Sequence, residues 1–359
     1  MRILHLSDRL TDRGGAYWHL LGVIAHQTPA HDVHLAVGRA DENVRAGCDM
    51  TVLRGLEARA RAPVDLARLV RELRPDVVHV HTVMNPDVLE QAGKLDGVTK
   101  VLTVQDHRFF CPGKGKWTED GEVCSERMSE ELCTKCFATE DDAYYREIST
   151  LTQERFEALK RFRVVVLSNY MKRELGLPDV HVVHVIPPFV HGLDANIAPD
   201  GPPCVLFAGR LVEAKGVLDA IEAWKRSGVE LPLVLAGTGT LRDELDGCEV
   251  LGWVSHDRMA ALYRRAAAVL MPSRWQEPFG IVGLEALTMG VPVVAWESGG
   301  ISEWHPGPLV PWGDIDALAF ELRTAIGTRP EPPSGFDAEA LMHRLTLLYE
   351  DYRLDDAIA

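Results

Sequence analysis

Three stretches of this chain of 359 residues have residue types at spacings that chemistry can use. Arg210 and Lys215 stand five apart in Gly209-Arg210-Leu211-Val212-Glu213-Ala214-Lys215-Gly216, directly after the β-rich run Cys204–Ala208. In such a turn a guanidinium fork and an ammonium can converge on one anion. The spacing alone fits two solvated cations equally well. Gly237-Thr238-Gly239 ends the next β-rich run. Gly237 and Gly239 let backbone amides approach a ligand at a helix start, or simply make a tight turn. The richest stretch is Pro272–Ala286. Glu277 falls in a strand-to-helix loop, Gly280 and Ile281 open a helix with free amides, and Glu285 lies about one turn inside it. Two such carboxylates suit two sets of hydroxyls, one on each side of a diphosphate held at the helix N-terminus. One of them alone would read as an ordinary helix cap.

A second pattern is Cys111-x12-Cys124-x8-Cys133-x2-Cys136, which takes four of the seven cysteines. In a reducing compartment this density points to metal rather than disulfides, and four thiolates suit tetrahedral zinc. Buried, unligated cysteines in a loop are the plainer alternative. His79 and His81 sit two apart, as a metal pair would, but their apolar strand favours satisfied core histidines. Arg59, Arg61, Arg68, Arg71 and Arg74 make a basic stretch that suits an acidic membrane surface. Glu57, Asp65 and Glu72 interrupt it, which favours a solvated face.

These residues need elements to hold them. Strands are expected at Ile3–Ser7, Val33–Val37, Asp76–His81, Lys100–Val104, Val164–Ser168 and Val182–Ile186. Helices are expected at Ala16 to about His26, Pro63–Arg74 and Asp142–Arg161. Prolines 187, 188, 199, 202 and 203 then mark a linker. The alternation restarts with strands Val205–Ala208, Leu233–Ala236, Val250–Leu251, Ala268–Met271 and Pro292–Ala295. Its helices start near Gly216 and span His256–Ala267 and Ile281–Met289, with Asp314 capping the next. A last helix covers about Ala338–Tyr352. The pattern predicts an α/β chain of two doubly wound, Rossmann-like domains, 1–190 and 191–335, with 336–359 packing back on the first. Ligand crevices of such sheets lie at the carboxyl ends of their strands, and two facing halves merge them into a central cleft.

Composition narrows the partners. With 53 acidic and 38 basic residues the net charge is −15, which excludes non-specific nucleic-acid binding. An apolar fraction of 46% and a charged fraction of 25% exclude a disordered chain. No apolar run reaches about 18 residues, so no transmembrane helix is expected. Met1–Ser7 meets Asp8 without a signal-peptide pattern, and the cytoplasm is the expected location.

The Glu277 to Glu285 run resembles the E-x7-E motif of the family 4 retaining glycosyltransferases of the GT-B fold. Gly209-Arg210-Leu211 with Lys215-Gly216 is similar to that family's G-R-L-x-x-x-K-G. Gly237-Thr238-Gly239, Leu251-Gly252-Trp253-Val254, Gly290–Ala295 and Gly299-Gly300-Ile301 with Glu303 follow in the family's order. The resemblance is dense over 204–326 and thinner before it, through Gly14-Gly15, Asp76–His81 and Ser168. It implies transfer of a sugar from a nucleoside-diphosphate sugar to an acceptor that the sequence does not identify. Arg210 and Lys215 would then neutralise the diphosphate, and Glu285 would bind the ribose. Glu277 and the Phe279–Val282 backbone would grip the sugar. Trp253-Val254 would flank the base, and Gly14 and Gly15 would approach the diphosphate from the first domain. No catalytic metal is implied, and zinc in the Cys loop would be structural.

One segment departs from the pattern. The family often carries His-Asp a few residues before Cys-Pro, and here the segment reads Gln105-Asp106-His107 before Cys111-Pro112. If the segment is extended, Gln105 and His107 face the same way and either takes the histidine's place. Two other functions stay open: a catalytically silent nucleotide-sugar-binding partner, and a nucleotide-sugar 2-epimerase of the same fold. The cysteine pattern yields a direct test. Elemental analysis of protein purified without added metal is expected to find about one zinc per chain, and a metal-free protein that is stable and active would refute the zinc site.

Overall fold

The computed structural model describes residues 1–350 apart from 119, 130–132, 134–135, 137–141 and 179–180. The chain divides into two compact units. The first holds Met1–Gly115, Ser125–Phe189 and the segment from Asp337 onward. Its strands are β1 (Arg2–Leu10), β2 (Asp32–Ala40), β3 (Asp49–Val52), β4 (Val77–Val80), β5 (Thr99–Val104), β6 (Arg163–Val166) and β7 (Val183–Val185). They form one parallel sheet in the order β3-β2-β1-β4-β5-β6-β7. The helices between them are α1 (Gly15–Gln27), α2 (Leu66–Leu73), α3 (Pro86–Gly93), α4 (Asp142–Leu159) and α5 (Asn169–Leu175).

The second unit holds Lys116–Cys124 and Val190–Phe336. Its strands β8 (Cys204–Ala208), β9 (Leu233–Ala236), β10 (Glu249–Gly252), β11 (Ala266–Met271) and β12 (Val293–Ala295) are parallel in the order β10-β9-β8-β11-β12. Its helices are α6 (Val217–Ser227), α7 (His256–Arg265), α8 (Ile281–Thr288) and α9 (Ile315–Ala325). The last helix, α10 (Ala338–Tyr349), packs in the first unit. In each sheet the strand order reverses beside the unit's first strand, between β1 and β4 and between β8 and β11. Those switch points open crevices at the strands' carboxyl ends.

Local chemistry sets several boundaries. The side chain of Asp65 accepts from Arg68 N, so α2 starts at Leu66 and not at Pro63. Asn85 caps α3, and Asp314 and Asp337 cap α9 and α10 in the same way. Strand β11 begins at Ala266, two residues before the pattern predicts, because Ala266 already pairs with Cys204. The predicted end of the last helix at Tyr352 lies outside the described residues. Strand β3 and helices α3 and α5 are too short for their periodicity to stand out. No helix among the described residues is long and apolar enough to cross a membrane.

Alternation along β1 sends Leu4 and Leu6 to one face, with Val78, Val80, Leu102 and Val104. Ile3 faces the other way, toward Val23 of α1 and Leu341, Leu345 and Leu348 of α10. That second face also carries a chain of buried polar groups. Gln27 Nε2 donates to the Tyr349 hydroxyl at 3.2 Å, so its Oε1 accepts from His5 Nε2 at 2.7 Å. His5 Nδ1 is thereby left to accept from His81 Nε2 at 2.9 Å. Tyr349 donates to His79 Nδ1 at 2.7 Å, and His79 Nε2 donates to Thr103 Oγ1 at 2.7 Å. Each imidazole is neutral with one defined tautomer.

Burial pushes His5 down to about 4, against the opposing pull of its Gln27 hydrogen bond. It also holds His79 and His81 well below the usual range. Unfolded, all three would titrate near the ordinary value of about 6.5. Above that pH they are neutral in both states and add no pH dependence. Below it unfolding takes up protons, so stability falls as pH falls, by up to about 1.4 kcal/mol per group and pH unit. Chemical denaturation is expected to show this loss between about pH 7 and pH 5, with a shallower slope in His81→Asn. A flat profile would mean that the trio takes protons while folded.

Candidate functional site

The switch point of the second unit gathers the segments that the sequence singles out. Two loops leave β8 and β9 side by side, with Gly209 N donating to Ala236 O and Leu211 N to Thr238 O, both at 2.9 Å. A Cβ on Gly237 would stand 1.8 Å from Gly209 O, and one on Gly239 2.1 Å from Leu211 O. Close approach of these loops, rather than room for a ligand, is what requires glycine at both positions. Behind β11, Arg274 forks onto Asp219 at 2.6 and 2.8 Å, and the amides of Arg274 and Trp275 both donate to Ala214 O. The loop carrying Lys215 is thus tied to the loop carrying Glu277.

Glu277 is buried, and its Oε1 accepts from Lys215 Nζ at 2.6 Å and from Ser273 Oγ at 2.5 Å. Burial alone would raise this carboxyl. The charge of Lys215 and the hydrogen bonds it receives outweigh burial and hold it below the usual range. Lys215 is in turn lowered by burial, with Glu277 opposing and Arg210 adding repulsion. Lys215 Nζ lies 4.3 Å from the centre of the Trp275 ring, and Arg210 Cζ lies 5.7 Å from it. The predicted pair of cations therefore converges on one indole, beside one buried carboxylate. This geometry leaves no cap for Glu277 to make: the residue before α8 is Gly280.

Glu285 sits one turn into α8 and is also buried. The Tyr263 hydroxyl donates to its Oε2 at 2.8 Å, and burial pushes this carboxyl up to about 7 despite that bond. Phe279 O accepts from Trp304 Nε1 at 2.5 Å, which fixes the entry to α8 ahead of Ile281 and Val282. Trp253 and Val254 follow β10 and lead to Ser255, the residue before α7.

In the first unit the predicted residues follow β5. Gln105 is buried, and its Nε2 has no hydrogen-bond partner among the described residues. The expected extended course to His107 is not observed. Asp106 accepts from Arg108 N at 2.9 Å and winds His107–Phe109 into a short helical turn, so Gln105 and His107 do not share a strand face. Asp106 also pairs with the Arg108 guanidinium at 2.6 Å. His107 is buried, with Nε2 3.0 Å from the Tyr170 hydroxyl. Gly14, at φ +119°, precedes α1, which starts at Gly15.

Cys111, Cys133 and Cys136 fall in the first unit and Cys124 in the second. Among the described residues, the converging group of candidate metal ligands is instead His5, His79 and His81, within 4.8 Å of one another. Their hydrogen bonds engage five of the six ring nitrogens, and His81 Nδ1 alone of the six lacks a partner. The trio as it stands is a hydrogen-bond network.

Sequence reasoning missed Ser273, Trp275, Ser298 and Tyr263. Ser273 and Trp275 lie inside the Pro272–Ala286 stretch and only contact reveals their part. Ser298 Oγ donates to Trp275 O at 2.8 Å and accepts from Glu277 N at 3.3 Å. Asp8, which accepts from Thr82 Oγ1 at 2.6 Å and from the Tyr17 hydroxyl at 3.1 Å, was missed as well. Gly299 closes the Glu277 loop: a Cβ there would stand 2.2 Å from Glu277 O, at a φ of +57°. Gly299→Ala is therefore expected to lower stability by about 1–3 kcal/mol, the range for strained backbone positions, measured by chemical denaturation. An unchanged midpoint would show that the loop relaxes freely.

Residues 202–327 match the family described as Glycosyl transferases group 1. Glycogen synthase of Mycobacterium tuberculosis is 35% identical over 175 residues, 42% of this chain and 41% of that protein. The chain thus spans less than half the length of this relative. Among solved structures, sucrose-phosphate synthase of Thermosynechococcus elongatus superposes with a TM-score of 0.72 at 20% identity, covering 99% of both chains. Anabaena HepE in complex with UDP-glucose superposes at 0.69 with 17% identity, covering 98% of this chain and 100% of that one. Residues 202–327 are thus similar to the group 1 glycosyltransferases, and the fold of the chain is the GT-B fold.

Proposed function

We propose that the protein is a retaining glycosyltransferase that moves a sugar from a nucleoside-diphosphate sugar to a hydroxyl of an acceptor. The observation that carries this is the convergence of Lys215 and Arg210 on Trp275 beside the buried Glu277, at the switch point of the group 1 domain. Breaking the bond from the anomeric carbon to the diphosphate leaves negative charge on the leaving oxygens. Lys215, Arg210 and the amides opening α8 stabilise that charge. The acceptor oxygen forms its bond on the face the diphosphate leaves, and its proton passes to a diphosphate oxygen. Glu277, held ionised by Lys215, accepts from sugar hydroxyls and favours positive charge developing at the anomeric centre. Glu285, inside α8, accepts from the ribose. HepE was solved with UDP-glucose, which supports a nucleoside-diphosphate sugar as the donor class.

The two carboxylates separate experimentally. Glu285→Gln is expected to weaken binding of the product nucleoside diphosphate and of the donor alike. Glu277→Gln is expected to spare nucleotide affinity and lower turnover, because its interaction is strongest in the transition state. Lys215→Ala is expected to slow turnover by roughly 10²–10³, by analogy with the loss of an oxyanion donor. Calorimetry with UDP, ADP and GDP, run beside donor hydrolysis and transfer assays, reads all three. A folded wild-type protein that binds no nucleoside diphosphate would refute the proposal. Binding without donor turnover would indicate a silent partner.

A further inference from the structure

We infer that Tyr263 is a positioning residue of the nucleotide site: its hydroxyl holds one oxygen of Glu285 so that the other is presented to a ribose hydroxyl. This rests on the proposed role of Glu285. Tyr263 lies in α7 and is fully buried. Its hydroxyl is 2.8 Å from Glu285 Oε2 and 3.4 Å from Val282 O. A phenol has one proton to donate, and the shorter, charged contact takes it. Burial and the neighbouring carboxyl raise Tyr263 well above its usual range, so it stays a donor at every working pH. Oε1 of Glu285 is left without a partner among the described residues. A carboxylate clamped at one oxygen has a fixed plane, and the free lone pairs of the other then point in one direction.

The surroundings make this contact the decisive one. Strands β11 and β12, which precede and follow α8 in the chain and pack against it, read Ala-Ala-Ala-Val-Leu-Met and Val-Val-Ala and contribute no titratable group. Trp304 reaches α8 at Gly283, with Glu303 and His305 beside it in sequence. Arg264 and Arg265 share α7 with Tyr263, and Arg265 is committed to Pro202 O and Glu249. Besides burial, the influence on Glu285 is the Tyr263 hydrogen bond, which lowers its carboxyl. Nucleotide affinity should therefore rise with pH as Glu285 ionises, and Tyr263 should set where on the pH scale that happens.

The test is calorimetry of wild type, Tyr263→Phe and Glu285→Gln, from about pH 6 to pH 8.5, with the tightest binder among UDP, ADP and GDP. Tyr263→Phe keeps the ring and removes the donor. It is expected to weaken binding by roughly tenfold and to move the pH midpoint of binding upward. Glu285→Gln should abolish that pH dependence in either background. The 2′-deoxynucleoside diphosphate should lose less to Tyr263→Phe than the ribonucleotide does, because one of the ribose contacts is already gone. A purely structural role for Tyr263 would lower the melting temperature but leave the midpoint and the ribose preference in place, which would overturn the inference. If Tyr263→Phe does not fold, 3-fluorotyrosine at position 263 preserves packing and donates more strongly. It should then move the midpoint downward, and an unmoved midpoint would also overturn the inference. Failure of the wild type to bind any of the three nucleotides overturns the functional proposal together with this one. Normal wild-type binding with an unaltered Tyr263→Phe profile overturns this one alone.

Discussion

A carboxylate and an ammonium taken out of water together are costly unless each satisfies the other. The second unit is arranged around one such pair, Glu277 with Lys215. Neither residue belongs to an α-helix or a strand, so loops must place both. Ala214 O accepts two amides from the Glu277 loop, Arg274 clamps Asp219, and Ser298 and Gly300 bind the backbone of Trp275 and Glu277. Those contacts fix the relative position of loops that leave β8, β11 and β12. Lys215 is then held near an indole face with Arg210 on the same ring, beside one pre-ordered carboxylate. Preorganisation of this kind avoids reorganising dipoles at the moment charge develops.

The first unit handles buried polarity in the opposite way. His5, His79 and His81 are kept neutral, and a chain of single-proton donors links Gln27, Tyr349 and Thr103 through them. Satisfying these groups ties α1, the central strands and α10 together by direction as well as by burial. Because Tyr349 lies at the end of α10, a residue late in the sequence completes a network that begins at His5. Charged side chains stand at the carboxyl ends of β1 and β5, where Asp8 meets Thr82 and Tyr17, and Asp106 meets Arg108.

Much of the architecture is legible in the chain because buried parallel strands are short apolar runs, and the long helices between them show their period. Cys204–Ala208, Leu233–Ala236 and the helix starting after Gly280 are read at or near their observed limits for that reason. Short elements such as β3 and α5 lack the length for a period to register. The stretch from Gln105 to His107 fails differently. Its strand-like lead-in, Thr103-Val104, continues smoothly in sequence, and only the Asp106 side chain closing on Arg108 N bends it into a turn. The glycines at 237 and 239 are legible as special positions, but the atoms that crowd them come from the neighbouring loop.

What the sequence by itself determined is the identity of the candidate site groups and their order: two cations after one strand, and two glutamates eight apart around a helix start. Residue type and spacing along the chain decide such things locally. What only the tertiary structure decided is who partners whom. Lys215 and Glu277 are 62 positions apart and bonded, Glu285 depends on Tyr263 from another helix, and His79 depends on Tyr349 from the last one. A hydrogen bond or ion pair is set by distance and direction in space, and packing loops and helices against a sheet is what brings those distances about.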